Sequence, residues 1–197
     1  AFLIQSYANA RAAGVARYYW FRVHDDCVCT GDCTGCERFG LTYTEAYLRP
    51  SYVAYQVAAR YLISPTMTTS YNYPGGVRRV TLWGTPHGKG SVLWNTLPGS
   101  STLAYPATLA TATLVDQRGV TRTLTAVNGT YSLGLAGATA AAKSNPADYF
   151  IGGAPMTLIV VVGGLVGVSG LIFYESSEHF ARRIDGFLSP DVDPRTQ

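Results

Sequence analysis

Residues 156–174 read MTLIVVVGGLVGVSGLIFY, and nothing in that run ionises before the closing tyrosine. As an α-helix the run measures about 28 Å, against a bilayer hydrocarbon core of roughly 30 Å. Gly163, Gly164, Gly167 and Gly170 would each weaken a helix in water, but glycine is frequent in membrane helices. Gly163 and Gly167 form a GxxxG pair, the spacing that lets a second helix pack closely. The competing way to fold the run is a β-hairpin turning at Gly163-Gly164, because TLIVVV is rich in β-branched residues. A half-exposed hairpin alternates apolar and polar residues, whereas this one is apolar on both faces. The expectation is therefore a transmembrane helix over 156–174. Arg182 and Arg183 follow it and only Lys143 lies near its start. The positive-inside bias then makes a single-pass membrane protein, with the N-terminal region extracytoplasmic and the C-terminus cytoplasmic.

The rest of the chain is long enough for one sizeable domain with flanking pieces. Charged residues are 14% of the 197, which speaks against disorder. The net charge of +3 comes from basic residues scattered singly or in two Arg-Arg pairs, so nucleic acid is not an expected partner. No methionine or charged leader opens the sequence, and Ala1 is expected to be a processed, trimmed or truncated start.

Residues 1–13 have helical spacing of Phe2, Leu3, Tyr7 and Ala10, with Gly14 as a stop. VARYYWFRV at 15–23 has the aromatic and β-branched content of a strand. A loop with all four cysteines follows. A second helix is expected over 50–62, opened by Pro50 and closed by Ser64-Pro65. Residues 64–76, SPTMTTSYNYPGG, read as a linker. From 77 to 155 short runs rich in Thr, Val, Leu and aromatics alternate with turn residues, the pattern of an antiparallel β-sandwich. Asn128-Gly129 is the strongest local hairpin signal, and Asp116-Gln117-Arg118-Gly119 a second turn. Beyond the apolar run, 175–197 carries Phe180, Ile184, Phe187 and Leu188 at helical spacing, an amphipathic cytoplasmic tail.

QSYANARAAGVARYYWFRVHDD, RFGLTYTEAYLRPSYVAYQVAARYL, VTLWGTPHGKGSVLWN and LVDQRG…NGTYSLGL resemble the C-terminal end of bacterial glycoside-hydrolase-like proteins of the (β/α)₈ clan. The resemblance covers most of residues 1–160; LRPSYVAYQ and LVDQRG…NGTYSLGL are its more specific parts. It implies that 15–23 is the eighth barrel strand, 50–62 the eighth helix, and the remainder an appended sandwich. It also implies that Trp20, Arg22, His24 and Asp25 lie near a sugar groove, with Trp20 as a stacking platform, since such sites form at the C-terminal ends of strands. Burial as a core aromatic is the alternative for Trp20. The overall fold class is then α+β: a helix-strand-helix remnant of a TIM barrel (1–63), a β-sandwich, and one C-terminal transmembrane helix.

Glycoside hydrolysis generally uses two carboxylates flanking the bond. In the resembled family they come from earlier strands, and adjacent Asp25 and Asp26 would point apart on an extended backbone. No catalytic residue and no cofactor is assigned on this basis. Cys27, Cys29, Cys33 and Cys36 form C-x-C-x₃-C-x₂-C. An extracytoplasmic location favours two disulfides, nested pairing being the easiest, while four thiolates also suit zinc. Glu37 after Cys36 excludes a c-type haem site. The leading functional expectation is a non-catalytic, membrane-anchored accessory or structural subunit, packing Gly163 and Gly167 against other transmembrane helices of a larger complex. The rivals are the C-terminal portion of an active glycoside hydrolase, and a glycan-binding sandwich using Trp83 and Trp94.

Overall fold

The computed structural model describes residues 1–24, 40–42, 48–140 and 150–161. Among the described residues two helices, α1 (Phe2–Ala12) and α2 (Pro50–Tyr61), precede eight strands. These are β1 (Met67–Asn72), β2 (Val77–Thr85), β3 (Gly88–Asn95), β4 (Ser101–Pro106), β5 (Thr111–Asp116), β6 (Thr121–Thr125), β7 (Thr130–Leu135) and β8 (Met156–Val160). Six of them form an antiparallel sheet in the order β1-β2-β3-β8-β5-β6, and β4 pairs with β7 in a second sheet.

The large sheet is covered on both faces. Val80, Leu82, Val92, Trp94, Val115 and Ile159 meet Leu3, Ile4 and Ala8 of α1 and Ala54, Val57 and Ala58 of α2. The opposite side chains, among them Val77, Leu93, Leu114, Leu158 and Val160, pack under Tyr105, Tyr131, Leu133 and Leu135 of the small sheet. Successive residues of a strand point to opposite faces, so each central strand feeds both cores at once.

That arrangement corrects the reading of 156–174 as a transmembrane helix. Its first five residues are β8, hydrogen-bonded between β3 and β5. The strand's Leu158, Ile159 and Val160 are apolar on both faces because helices lie on one side and a sheet on the other, not because lipid surrounds them. The remainder of the run falls short of the roughly 20 residues a span requires. Among the described residues no helix is long and apolar enough to cross a membrane. The single-pass topology, its sidedness and the membrane-anchored role lose their basis with the helix. Gly163, Gly167 and the tail at 175–197 lie outside the described residues.

Ala1–Val160 form one compact unit. Inside the stretch expected as a linker, β1 pairs with β2 along its whole length, and Thr68 Oγ1 donates to the Arg11 carbonyl at the end of α1 (3.0 Å). Buried Gln5 clasps α1 to the segment entering β8: its Nε2 donates to Gly153 O (2.8 Å) and its Oε1 accepts from Gly152 N (3.0 Å). Gly153 N in turn donates to Asn95 O (2.8 Å). A Cβ on Gly153 would overlap the Ala136 carbonyl, so this close crossing of backbones needs glycine.

Both expected turns form. Asp116 Oδ1 accepts from Arg118 N (2.8 Å) and Val120 N (2.9 Å), closing the β5–β6 hairpin. Asn128 (φ 50°) and Gly129 (φ 72°) make a left-handed two-residue turn between Val127 and Thr130, which bond each other in both directions. The strands it joins nevertheless belong to different sheets, since β6 pairs with β5 and β7 with β4. Turn chemistry is local, whereas partners are chosen by which faces can be buried.

Candidate functional site

The stretch 15–23, expected as a strand, runs without a ladder partner among the described residues; only His24 forms a bridge, to Thr42. Tyr18 packs edge-on against Tyr7 of α1 (4.7 Å between centroids), and Trp20 against Phe2 (6.5 Å). Tyr19, Phe21 and Val23 are 77%, 68% and 54% exposed. Tyr18 and Trp20 thus touch α1, while three large apolar side chains between and beyond them are exposed.

Of the residues expected near a sugar groove, Trp20, Arg22 and His24 are among those described. Trp20 points toward the helices and lines a cavity of ≈ 540 Å³ with Phe2, Pro50, Val53, Ala54 and Arg118. Arg22 sits at φ 71°, its guanidinium 5.5 Å from the Phe21 ring. His24 Nδ1 lies 2.7 Å from Thr42 Oγ1. That hydroxyl donates to Val23 O (3.1 Å), so it accepts from His24 and places the imidazole proton on Nδ1. Asp25, Asp26 and the four cysteines, with the disulfide and zinc alternatives, lie outside the described residues. Among the described residues no cluster of three or more His, Cys, Asp or Glu side chains is placed to hold a metal. The one carboxylate there is Asp116, already engaged in its own turn.

The tyrosines under the strand have an electrostatic consequence. The Tyr7 phenol is pushed up to about 12, chiefly by burial, then by the Tyr55 phenol beside it and by Tyr18; the Trp20 backbone N–H pulls weakly the other way. Unfolded, Tyr7 ionises near pH 10. Between pH 10 and 12 the folded state therefore holds more protons than the unfolded one, and stability falls as pH rises through that window. Tyr7→Phe has no such proton to lose. The urea midpoint of the wild-type chain is expected to drop relative to that of Y7F between pH 10 and 12 and to track it below pH 10. A gap that does not vary with pH would count against the shift.

The tryptophans considered for glycan stacking differ. Trp94 is buried, 2% exposed, with Arg78 5.8 Å from its ring. Trp83 is half-buried and its face is occupied by Lys89 Nζ at 4.3 Å. Trp94 therefore has no exposed ring face, and Trp83 carries a cation on one of its faces. Sequence reasoning missed a polar ladder between the sheets, in which Thr81 Oγ1, Ser91 Oγ (3.1 Å) and Tyr105 Oη (3.0 Å from Ser91) satisfy one another. It also missed Arg79, held among Tyr71, Tyr73 and Tyr105, with its Nη1 donating to Tyr73 Oη (2.8 Å). Burial raises the Tyr73 phenol, with the Arg79 charge opposing it. The Arg79–Tyr71 and Arg79–Tyr73 spacings cross a strand pair and a turn, so only register could have revealed them.

The fold has a counterpart among solved structures. It is similar to the solved structure of a family 39 glycoside hydrolase from the gut symbiont Bacteroides cellulosilyticus WH2, with a TM-score of 0.54 over 81% of this chain and 21% sequence identity. The chain spans 29% of the length of that protein. No family model matches the chain, and no curated protein does either.

Proposed function

We propose that this chain is the closing portion of a glycoside-hydrolase-like barrel protein, the last strand and helix of the barrel with its appended sandwich. The observation that carries the reading is the stretch 15–23, which lies on α1 with no ladder partner among the described residues. A barrel strand turns one face to the surrounding helices and the other to the barrel interior, with neighbours on both edges. Here Tyr18 and Trp20 have their helices, whereas Tyr19, Phe21 and Val23 are exposed. Preceding strands would cover them. The likeness of fold, which spans most of this chain but under a third of a glycoside hydrolase, supports the same reading.

In this role the chain closes the barrel and buttresses it from outside, and the acid and nucleophile come from strands upstream. The reading frame ahead of Ala1 tests it. It is expected to encode roughly 200 further residues of alternating strands and helices, from the usual barrel size. Two of those strands should end in carboxylates. The longer protein is expected to hydrolyse aryl glycosides and the 197-residue chain alone to leave them intact. An upstream frame without barrel strands would overturn the proposal.

A further inference from the structure

A cavity of ≈ 350 Å³ lies between α1 and the helix-facing side of the large sheet, walled by Asn9, Arg78, Trp94 and Thr96 and bounded by Phe150 and Ile151. It falls at the lower end of the size range of small-molecule sites. Two side-chain atoms in its wall, Asn9 Oδ1 and Arg78 Nε, are buried without a hydrogen-bond partner. Buried polar atoms are nearly always partnered, so two orphans in one cavity point to something that completes them. Gln5 beside them is not in this state, because both ends of its amide are used.

The two atoms ask for different things. Among the described residues of the wall Arg78 is the charged one, and its guanidinium lies 5.8 Å from the Trp94 ring. Its planar fork of N–H donors matches a carboxylate. Asn9 Oδ1 only accepts, so its partner must be a hydroxyl or an N–H. A bare anion would leave Asn9 unsatisfied, and a neutral polyol would leave the guanidinium uncompensated.

We propose that this cavity binds a small hydroxylated carboxylate the size of one sugar-acid ring, its carboxylate on Arg78 and a hydroxyl donating to Asn9 Oδ1. The residues that carry the site are all described, and the proposal does not depend on the barrel reading. The test is titration of the full chain, by calorimetry and ligand-observed NMR, with D-glucuronate, D-glucose and acetate. Glucose lacks the carboxylate and acetate lacks the hydroxyls. Glucuronate is expected to bind saturably and at least about tenfold more tightly than either, a carboxylate–guanidinium pair being among the strong hydrogen bonds. Arg78→Gln should weaken glucuronate by a similar factor, and Asn9→Ala by several-fold, with the thermal midpoint of each variant recorded beside its affinity. Should Arg78→Gln fail to fold, Arg78→Lys, which keeps the charge but not the fork, is read in its place with the same direction expected. Glucose or acetate matching glucuronate, absence of saturable glucuronate binding, or a folded Arg78 variant with unchanged affinity would overturn the proposal.

Discussion

Replacing Gln5 by alanine is expected to destabilise the Ala1–Val160 unit by about 2–4 kcal/mol, because both ends of its amide are engaged within the fold. Gln5 is 5% exposed. Its truncation strips partners from the Gly153 carbonyl and the Gly152 amide together, and a buried group left unpaired costs about 1–3 kcal/mol. Water entering the space would recover part of this, which is why the expected sum sits below twice the maximum. The same two bonds hold α1 to the segment that feeds β8, so their loss loosens the helical layer against the sheet. Urea unfolding followed by circular dichroism measures the effect. A change below about 0.5 kcal/mol, the scale of an ordinary surface substitution, would mean that the clasp is not formed in solution.

Leu158→Ala is expected to cost about 2–5 kcal/mol, the range for removing a leucine from a packed core. Leu158 is 1% exposed, in the strand bonded on both sides, and it packs beneath the small sheet with Leu114, Leu133 and Tyr131. With roughly 2–4 °C of thermal midpoint per kcal/mol in a domain of this size, the midpoint should fall by about 5–15 °C. A companion substitution, Leu158→Asp, should prevent folding, because it buries an unpaired charge in the same place. This pair of variants also separates strand from lipid-facing helix. A leucine facing lipid could be shortened with little effect on the Ala1–Val160 unit, and an alanine variant of unchanged midpoint would reopen the assignment of β8.

Much of the architecture was legible in the chain because it is locally determined. Pro50 opens α2 and Arg49 before it is extended, at φ −81° and ψ 157°. The Asp116 and Asn128-Gly129 turns depend on side chains and dihedrals within four or five residues. What misled was the apolar run. Met156–Val160 carries the same residues whether lipid or protein covers its two faces, and hydropathy does not distinguish the two solvents. β1, with its MTTSYN sequence, has an exposed edge and little apolar content, so nothing local marked it as a strand. The candidate site was legible only in part. The aromatic and β-branched content of 15–23 was visible, but which of its side chains meet the helices was not, and Trp20 fell against Phe2 of α1.

Local chemistry alone settled where the helices begin, where the two left-handed or capped turns fall, and that a strand-rich region follows a helical one. The folded chain decided which strands are neighbours, that α1 is clasped to the entrance of β8, and that Arg78 and Asn9 share one cavity wall. The division has a physical cause. Caps and turns are fixed by bonds between residues a few positions apart, whereas the Gln5–Gly153 clasp spans 148 positions and forms only where burial of both sheet faces brings its ends together.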